Sequence, residues 1–195
     1  MEQRRLEQLL LAISDDELVL RAQAGSLSAF DELIARHQDR VFALAFRILG
    51  NAEDAADVQQ ETFVKVWVSI GKFRGHAAFS TWTHRITVNL CLSRKRKKDW
   101  SEKPEQLDEE RHYALAQRST SCIERLETSI VVREALAAIP TRQRTLIVLR
   151  DLEGRSFEEI AEIVGGSTDS VRTRLSRARK LLREKMRPYL EGEGI

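Results

Sequence analysis

The stretch SFEEIAEIVGGSTDSVRTRLSRARK, Ser156 to Lys180, decides how the chain is read. Ser156 with Glu159 three residues on is a capping-box pattern, which predicts a short helix through Ile160, Ala161 and Val164. Gly165 and Gly166 predict a turn, and Ser167 can cap a longer helix reaching about Tyr189. On that second helix Val171, Leu175, Ala178 and Leu182 step by three or four residues, so they share one face and are expected to bury. At about 100° per residue the opposite face carries Thr173, Ser176 and Lys180, flanked by Arg172, Arg177 and Arg183. Short helix, glycine turn and long basic helix form a helix-turn-helix arrangement, whose second helix fits a DNA major groove. A solvated face of a bundle helix would share this composition. The cap and the Gly-Gly turn favour the groove, with Ser167, Arg172, Thr173, Ser176, Arg177, Lys180 and Arg183 meeting base edges or phosphates.

The same reading extends toward the N-terminus. A helix is predicted from about Thr141 to Gly154, and Pro140 ends the one before it, which a capping-box pattern at Ser121 and Glu124 opens. Between Asp99 and Ser119 the apolar pattern fades, and Pro104 with the acidic run Asp108–Glu110 marks a linker. Before the linker four more helices are expected. The first starts at Ser14 and stops at Gly25; the second carries Phe30, Leu33, Val41, Leu44 and Ile48 and breaks at Gly50. The third runs from Ala52 to Ile70, residues 71–78 form a loop, and the fourth spans Phe79 to Lys98 with Phe79, Trp82, Ile86 and Leu90 on one side. The fold class is therefore all-α: two small helical domains, 1–98 and 121–195, joined by a flexible linker over 99–120.

Charge supports two separate contacts with a polyanion. The sequence holds 32 Lys and Arg against 30 Asp and Glu, a net +2 that hides segregation into basic blocks at Arg94–Lys98 and Arg172–Arg187. Cys91 and Cys122 have no metal-ligand or redox spacing and read as reduced thiols. Histidines 37, 76, 84 and 112 suggest no ligand cluster, and no nucleophile set or glycine-rich phosphate loop is present. No catalytic residue, metal, cofactor or small-molecule substrate is expected. No apolar run reaches the ~18 residues of a membrane span, and residues 1–13 read as a short amphipathic helix, so the chain is expected to be cytoplasmic.

The N-terminal half carries a recognisable pattern. Asp54-Ala-Ala-Asp57-Val-Gln-Gln60-Glu61-Thr-Phe63-Val-Lys-Val-Trp67 resembles the core-binding segment, region 2.2, of sigma-70-family proteins. Phe73-Arg74-Gly75, Phe79-Ser-Thr81-Trp82 and Arg85-Ile86-Thr-Val-Asn89 resemble the promoter-melting and −10-reading segments of that family. Leu149–Ala161 together with Val171–Arg179 is similar to its region 4. With no room for further domains, the resemblance is to the extracytoplasmic-function (ECF) group. Three departures from the family pattern stand out: Gln59 replaces a usual valine, Thr83 a usual leucine, and Asp169 a common glycine. A carboxylate at Asp169 favours the helix dipole and repels a nearby phosphate.

The resemblance implies a promoter-reading subunit of RNA polymerase. Asp54, Asp57, Gln60 and Glu61 would meet the clamp helices of the β′ subunit, and the C-terminal half the β flap. Phe73, Arg74, His76, Arg85, Asn89 and the run Arg94, Lys95, Arg96, Lys97, Lys98 would hold the melted −10 strand, the helix-turn-helix the −35 element. An anti-sigma factor, often membrane-bound, would control the chain, in response to stress. The residues themselves fit these roles: three carboxylates three and four apart share a helix face, and a captured base needs an apolar wall with donors around it. Trp82 is expected in the core, Phe73 is open between core and wall, and His76 alone is a weak signal. An autonomous helix-turn-helix regulator is the alternative; it would bind a palindromic duplex without polymerase.

Overall fold

Ser14, Ser26, Asn51 and Ser156 each stand just before a helix, and each accepts a hydrogen bond on its side-chain oxygen from the backbone N–H three residues on, at 3.0–3.3 Å. These caps satisfy N–H groups that a helix start leaves unpaired. The computed structural model describes residues 13–101 and 130–190, and among them the only regular structure is helical. In the N-terminal half, α1 spans Asp15–Gln23, α2 Leu27–Leu49, α3 Ala52–Ser69 and α4 Phe79–Ser101, with a 3₁₀ turn at Ile70–Lys72. In the C-terminal half, α5 spans Ile130–Ala137, α6 Thr141–Ile147, α7 Phe157–Val164 and α8 Thr168–Leu190. Gly50 ends α2 in the left-handed region at φ 76°, its N–H donating to the Phe46 carbonyl at 2.7 Å, a conformation that costs glycine little.

Three elements differ from the sequence reading. α4 continues to Ser101, past the expected stop at Lys98. The helix expected over Thr141–Gly154 is α6 followed by a π turn at Val148–Leu152. The loop after α3 begins with the 3₁₀ turn. All but the last residue of the helix expected over residues 1–13, the linker beyond Ser101 and the capping box at Ser121 lie outside the described residues. No described helix is long and apolar enough to cross a membrane. The cytoplasmic placement expected from the sequence is corrected to that narrower statement, because lacking a spanning helix assigns no compartment.

Two apolar clusters hold the helices. The first packs Leu18, Leu33, Val66, Ile70 and Phe79, so α1–α3 close over the start of α4. The second crosses between the halves: Leu44, Ile48, Val58, Val88 and Cys91 meet Ile139, Leu146, Leu149, Ile160 and Leu175. Each fully buried aliphatic side chain stabilises by about 1.5–3 kcal/mol, so this contact is more than an encounter of two surfaces.

Polar groups reinforce the join. Arg144, 7% exposed, donates from Nη1 to the Ile48 carbonyl at 2.9 Å and from Nη2 to the Ala137 and Ile139 carbonyls at 2.6 and 3.1 Å. One guanidinium thus caps the carbonyl ends of α2 and α5, and burial pushes its pKa down. Arg47 pairs with Glu153. Arg155 donates to Glu159 Oε1 at 2.7 Å, to Thr81 Oγ1 at 3.4 Å and to His84 Nδ1 at 3.1 Å.

Candidate nucleic-acid interface

The helix-turn-helix is built as its sequence demands. The Ser156 hydroxyl accepts from the Glu159 N–H at 3.1 Å, while the Glu159 carboxylate accepts from the Ser156 N–H at 2.9 Å. Val171, Leu175 and Ala178 of α8 are buried and Leu182 is half-buried. Their burial turns Arg172, Thr173, Ser176, Arg177, Lys180 and Arg183 to solvent, and Ser167 is exposed at the helix start, its hydroxyl accepting from the Ser170 N–H at 3.2 Å. Arg172 is the best anchored of the set. It donates to Asp169 Oδ1 at 2.9 Å and lies 5.0 Å from the centre of the Phe157 ring, which Arg150 also approaches at 4.6 Å. Asp169 therefore orients Arg172 as well as favouring the helix dipole. Arg179 is tied to Asp151, with Nε to Oδ2 at 3.1 Å.

The second cationic surface is α4 with the loop before it. Gln23 donates to the Ile70 and Phe73 carbonyls at 2.8 and 2.9 Å, which fixes the loop's start. Phe73 is half-buried, with ring centres 4.9 Å from Trp82 and 6.1 Å from Phe79. It thus serves the core and stays partly open to solvent, and Trp82 packs partly inward as expected. Arg74, His76, Arg85 and Asn89 are exposed, the last two four residues apart on one face of α4. Lys95 and Arg96 continue outward, Arg96 donating to Ser93 Oγ at 3.2 Å. Lys97 and Lys98 lie in α4; their side chains fall outside the description.

Asp54, Asp57 and Glu61 share one face of α3 as predicted, with Gln60 exposed beside them. Arg94 of the basic run meets them: Nε lies 2.7 Å from Asp54 Oδ1, Nη2 2.5 Å from Asp57 Oδ2 and Nη1 3.7 Å from Glu61 Oε1. Burial alone would lower the Arg94 pKa, but hydrogen bonds and charge from Asp54 and Asp57 outweigh it and hold the pKa above the usual value. Sequence reasoning missed that the acidic face runs on into exposed valines. Asp57, Glu61, Val64 and Val68 lie at steps of four, three and four residues, and Val64 and Val68 are 64% and 77% exposed. The signal was in that spacing, among neighbouring apolar residues Phe63, Val66 and Trp67 on the same helix.

Among the described residues no group of three or more His, Cys, Asp or Glu could hold a metal ion. Cys91 is buried, and desolvation pushes its thiol up to about 12, which keeps it protonated and unreactive. His84, buried beside Arg155, was read from the sequence only as one of four histidines without a ligand cluster, since nothing local marks a contact between residues so far apart.

Comparisons with known proteins agree with both halves. The model described as Sigma-70 region 2 matches residues 33–101, and that described as Sigma-70, region 4 matches residues 129–182. The RNA polymerase sigma-H factor of Pseudomonas aeruginosa is 33% identical over 93% of this chain and 98% of its own length. The ECF RNA polymerase sigma-E factor of Haemophilus influenzae is 34% identical over 91% of this chain and 98% of its own. Among solved structures, CnrH in complex with the cytosolic domain of CnrY is 28% identical, with a TM-score of 0.60 over 91% of this chain and 97% of that one.

Proposed function

The chain belongs to the sigma-70 family as an ECF sigma factor, and from that premise we propose how its surfaces divide the work of promoter-specific initiation. Members of this family are regulatory subunits, not enzymes. The acidic face of α3 binds the β′ clamp helices through Asp54, Asp57, Gln60 and Glu61, and the C-terminal half binds the β flap. Arg74, His76, Arg85, Asn89 and Phe73 take the non-duplex −10 strand, and the basic end of α4 its phosphates. Ser167, Arg172, Thr173, Ser176, Arg177, Lys180 and Arg183 read the −35 element in a major groove.

The observation that carries this reading is the outward stripe of α8, set by the burial of Val171, Leu175 and Ala178 on its other side. An anti-sigma factor is proposed as the regulator; that a chain of this kind can be held by a protein partner is supported by CnrH having been solved in complex with the cytosolic domain of CnrY. The test is run-off transcription with core polymerase on a promoter library. A defined pair of elements should be enriched with core and lost on Asp57→Lys with Glu61→Lys. Tight, sequence-specific duplex binding by the chain without core would overturn it in favour of an autonomous regulator.

A further inference from the structure

The acidic strip on α3 is already occupied, and its occupant comes from the chain itself. Arg94 reaches across from α4 and engages Asp54, Asp57 and Glu61 at 2.7, 2.5 and 3.7 Å. One guanidinium therefore faces three carboxylates, a cluster whose formal charges sum to −2. The four groups are not equally accessible. The side chains of Asp54 and Arg94 are 20% and 30% exposed, whereas those of Asp57 and Glu61 are 56% and 54% exposed. The outer carboxylates keep acceptor positions turned to solvent, because an ionised carboxylate accepts about four hydrogen bonds.

We infer that Arg94 is an internal competitor for a cationic partner of the strip: in the free chain it takes the place that a basic side chain of core polymerase takes on binding. The inference rests on the reading of α3 as the core-binding helix. Binding of a partner cation at Asp57 and Glu61 loosens their hold on Arg94, and by reciprocity Arg94 weakens the partner's hold on them. Arg94 also opens the basic run at the end of α4, the helix that carries Arg85 and Asn89. Core binding thereby frees a positive charge toward the −10 strand, and the two contacts become linked. The sequence reading placed Arg94 among the phosphate ligands; in this scheme it becomes one only after core has displaced it.

The test titrates labelled full-length chain with core polymerase at low and high salt. Arg94→Gln and Arg94→Met, the second keeping the packed stem, should each tighten core binding by roughly 2–5-fold at low salt, the scale of a partly exposed ion pair. The gain should vanish near 1 M salt, where screening shortens to about 3 Å. Arg94→Lys should stay near wild type, and Asp57→Asn should abolish the gain from Arg94→Gln. A purely structural Arg94 predicts weaker binding at every salt concentration. Unchanged or weakened binding by both neutral variants, with helicity and melting as in wild type, would overturn the inference. If one neutral variant fails to fold, the other decides. Charge reversal at Asp57 and Glu61 separates the two failures: if it leaves core affinity unaltered, the reading of α3 falls, and if it abolishes binding while the neutral variants gain nothing, only the competitor role falls.

Discussion

Arg177 and Lys180 sit three residues apart on one exposed face of α8, yet different losses are expected from them. Arg177→Ala should cost about 1–3 kcal/mol at one −35 base pair if the guanidinium forks onto a guanine. In transcription from single-position promoter variants this appears as relaxed preference at that position alone. Lys180→Ala should weaken all promoters alike and reduce the slope of affinity against salt by about one; an unaltered slope would remove it from the phosphate ligands. Single residues were legible where their chemistry is local. The exposure of the α8 stripe followed from helical period. Asp169 was read as a repulsive carboxylate, although its i,i+3 spacing to Arg172 already contained the pair seen at 2.9 Å. Arg94 illustrates the limit: it was assigned by its basic neighbours, and its partners lie about forty positions earlier in the chain.

Helix starts were the most legible elements, because a cap is a contract between residues three apart. Ser156→Ala should cost about 1 kcal/mol, the usual worth of a cap. Glu159→Ala should cost more, since Glu159 also accepts from Arg155 at 2.7 Å and from Thr81 at 3.4 Å. Urea unfolding of the two variants ranks them; equal losses would mean that the contact to α4 contributes nothing measurable. The π turn at Val148–Leu152 was not legible. Leu146, Ile147, Val148 and Leu149 are all buried, so the apolar run has no period from which an extra residue per turn could be detected. Its closing bonds, Glu153 N–H to Val148 O and Arg155 N–H to Leu149 O at 2.9 Å each, aim Arg155 at α4. Local geometry here serves a distant contact, which is why periodicity alone could not supply it.

For the molecule as a whole, fold class and helix order were readable, whereas the meeting of the halves was not, since sequence patterns report which face buries and not what covers it. The apolar face of Ile48 was accounted for within one half; together with Val88 and Cys91 it is completed by the other. Arg144→Ala tests this directly. It leaves the Ile48, Ala137 and Ile139 carbonyls without their donor, at about 1–3 kcal/mol for each that stays buried. All three tryptophans, at 67, 82 and 100, precede the C-terminal half. A lowered tryptophan-detected melting midpoint in this variant would show the halves unfolding together, and an unmoved one that they do not. Acid should act at the same join. Burial first, then the charge of Arg155, push the His84 pKa down to about 3, with further lowering by His37 and Arg40 and a small opposing effect of Glu159. A folded pKa below the unfolded ~6.5 means that the unfolded chain takes up the proton first, so stability falls as pH drops from about 6.5 toward 3. The slope approaches about 1.4 kcal/mol per pH unit, and His84→Gln should flatten it in urea melts recorded between pH 4 and 7. The shared core also dictates what happens during synthesis. Ile48, Val88 and Cys91 leave the ribosome before Leu149, Ile160 and Leu175 exist to cover them. At ~5–20 residues per second the apolar patch stays bare for several seconds on every nascent chain, so translation that stalls before the helix-turn-helix is made releases a sticky fragment, a natural client for holding chaperones.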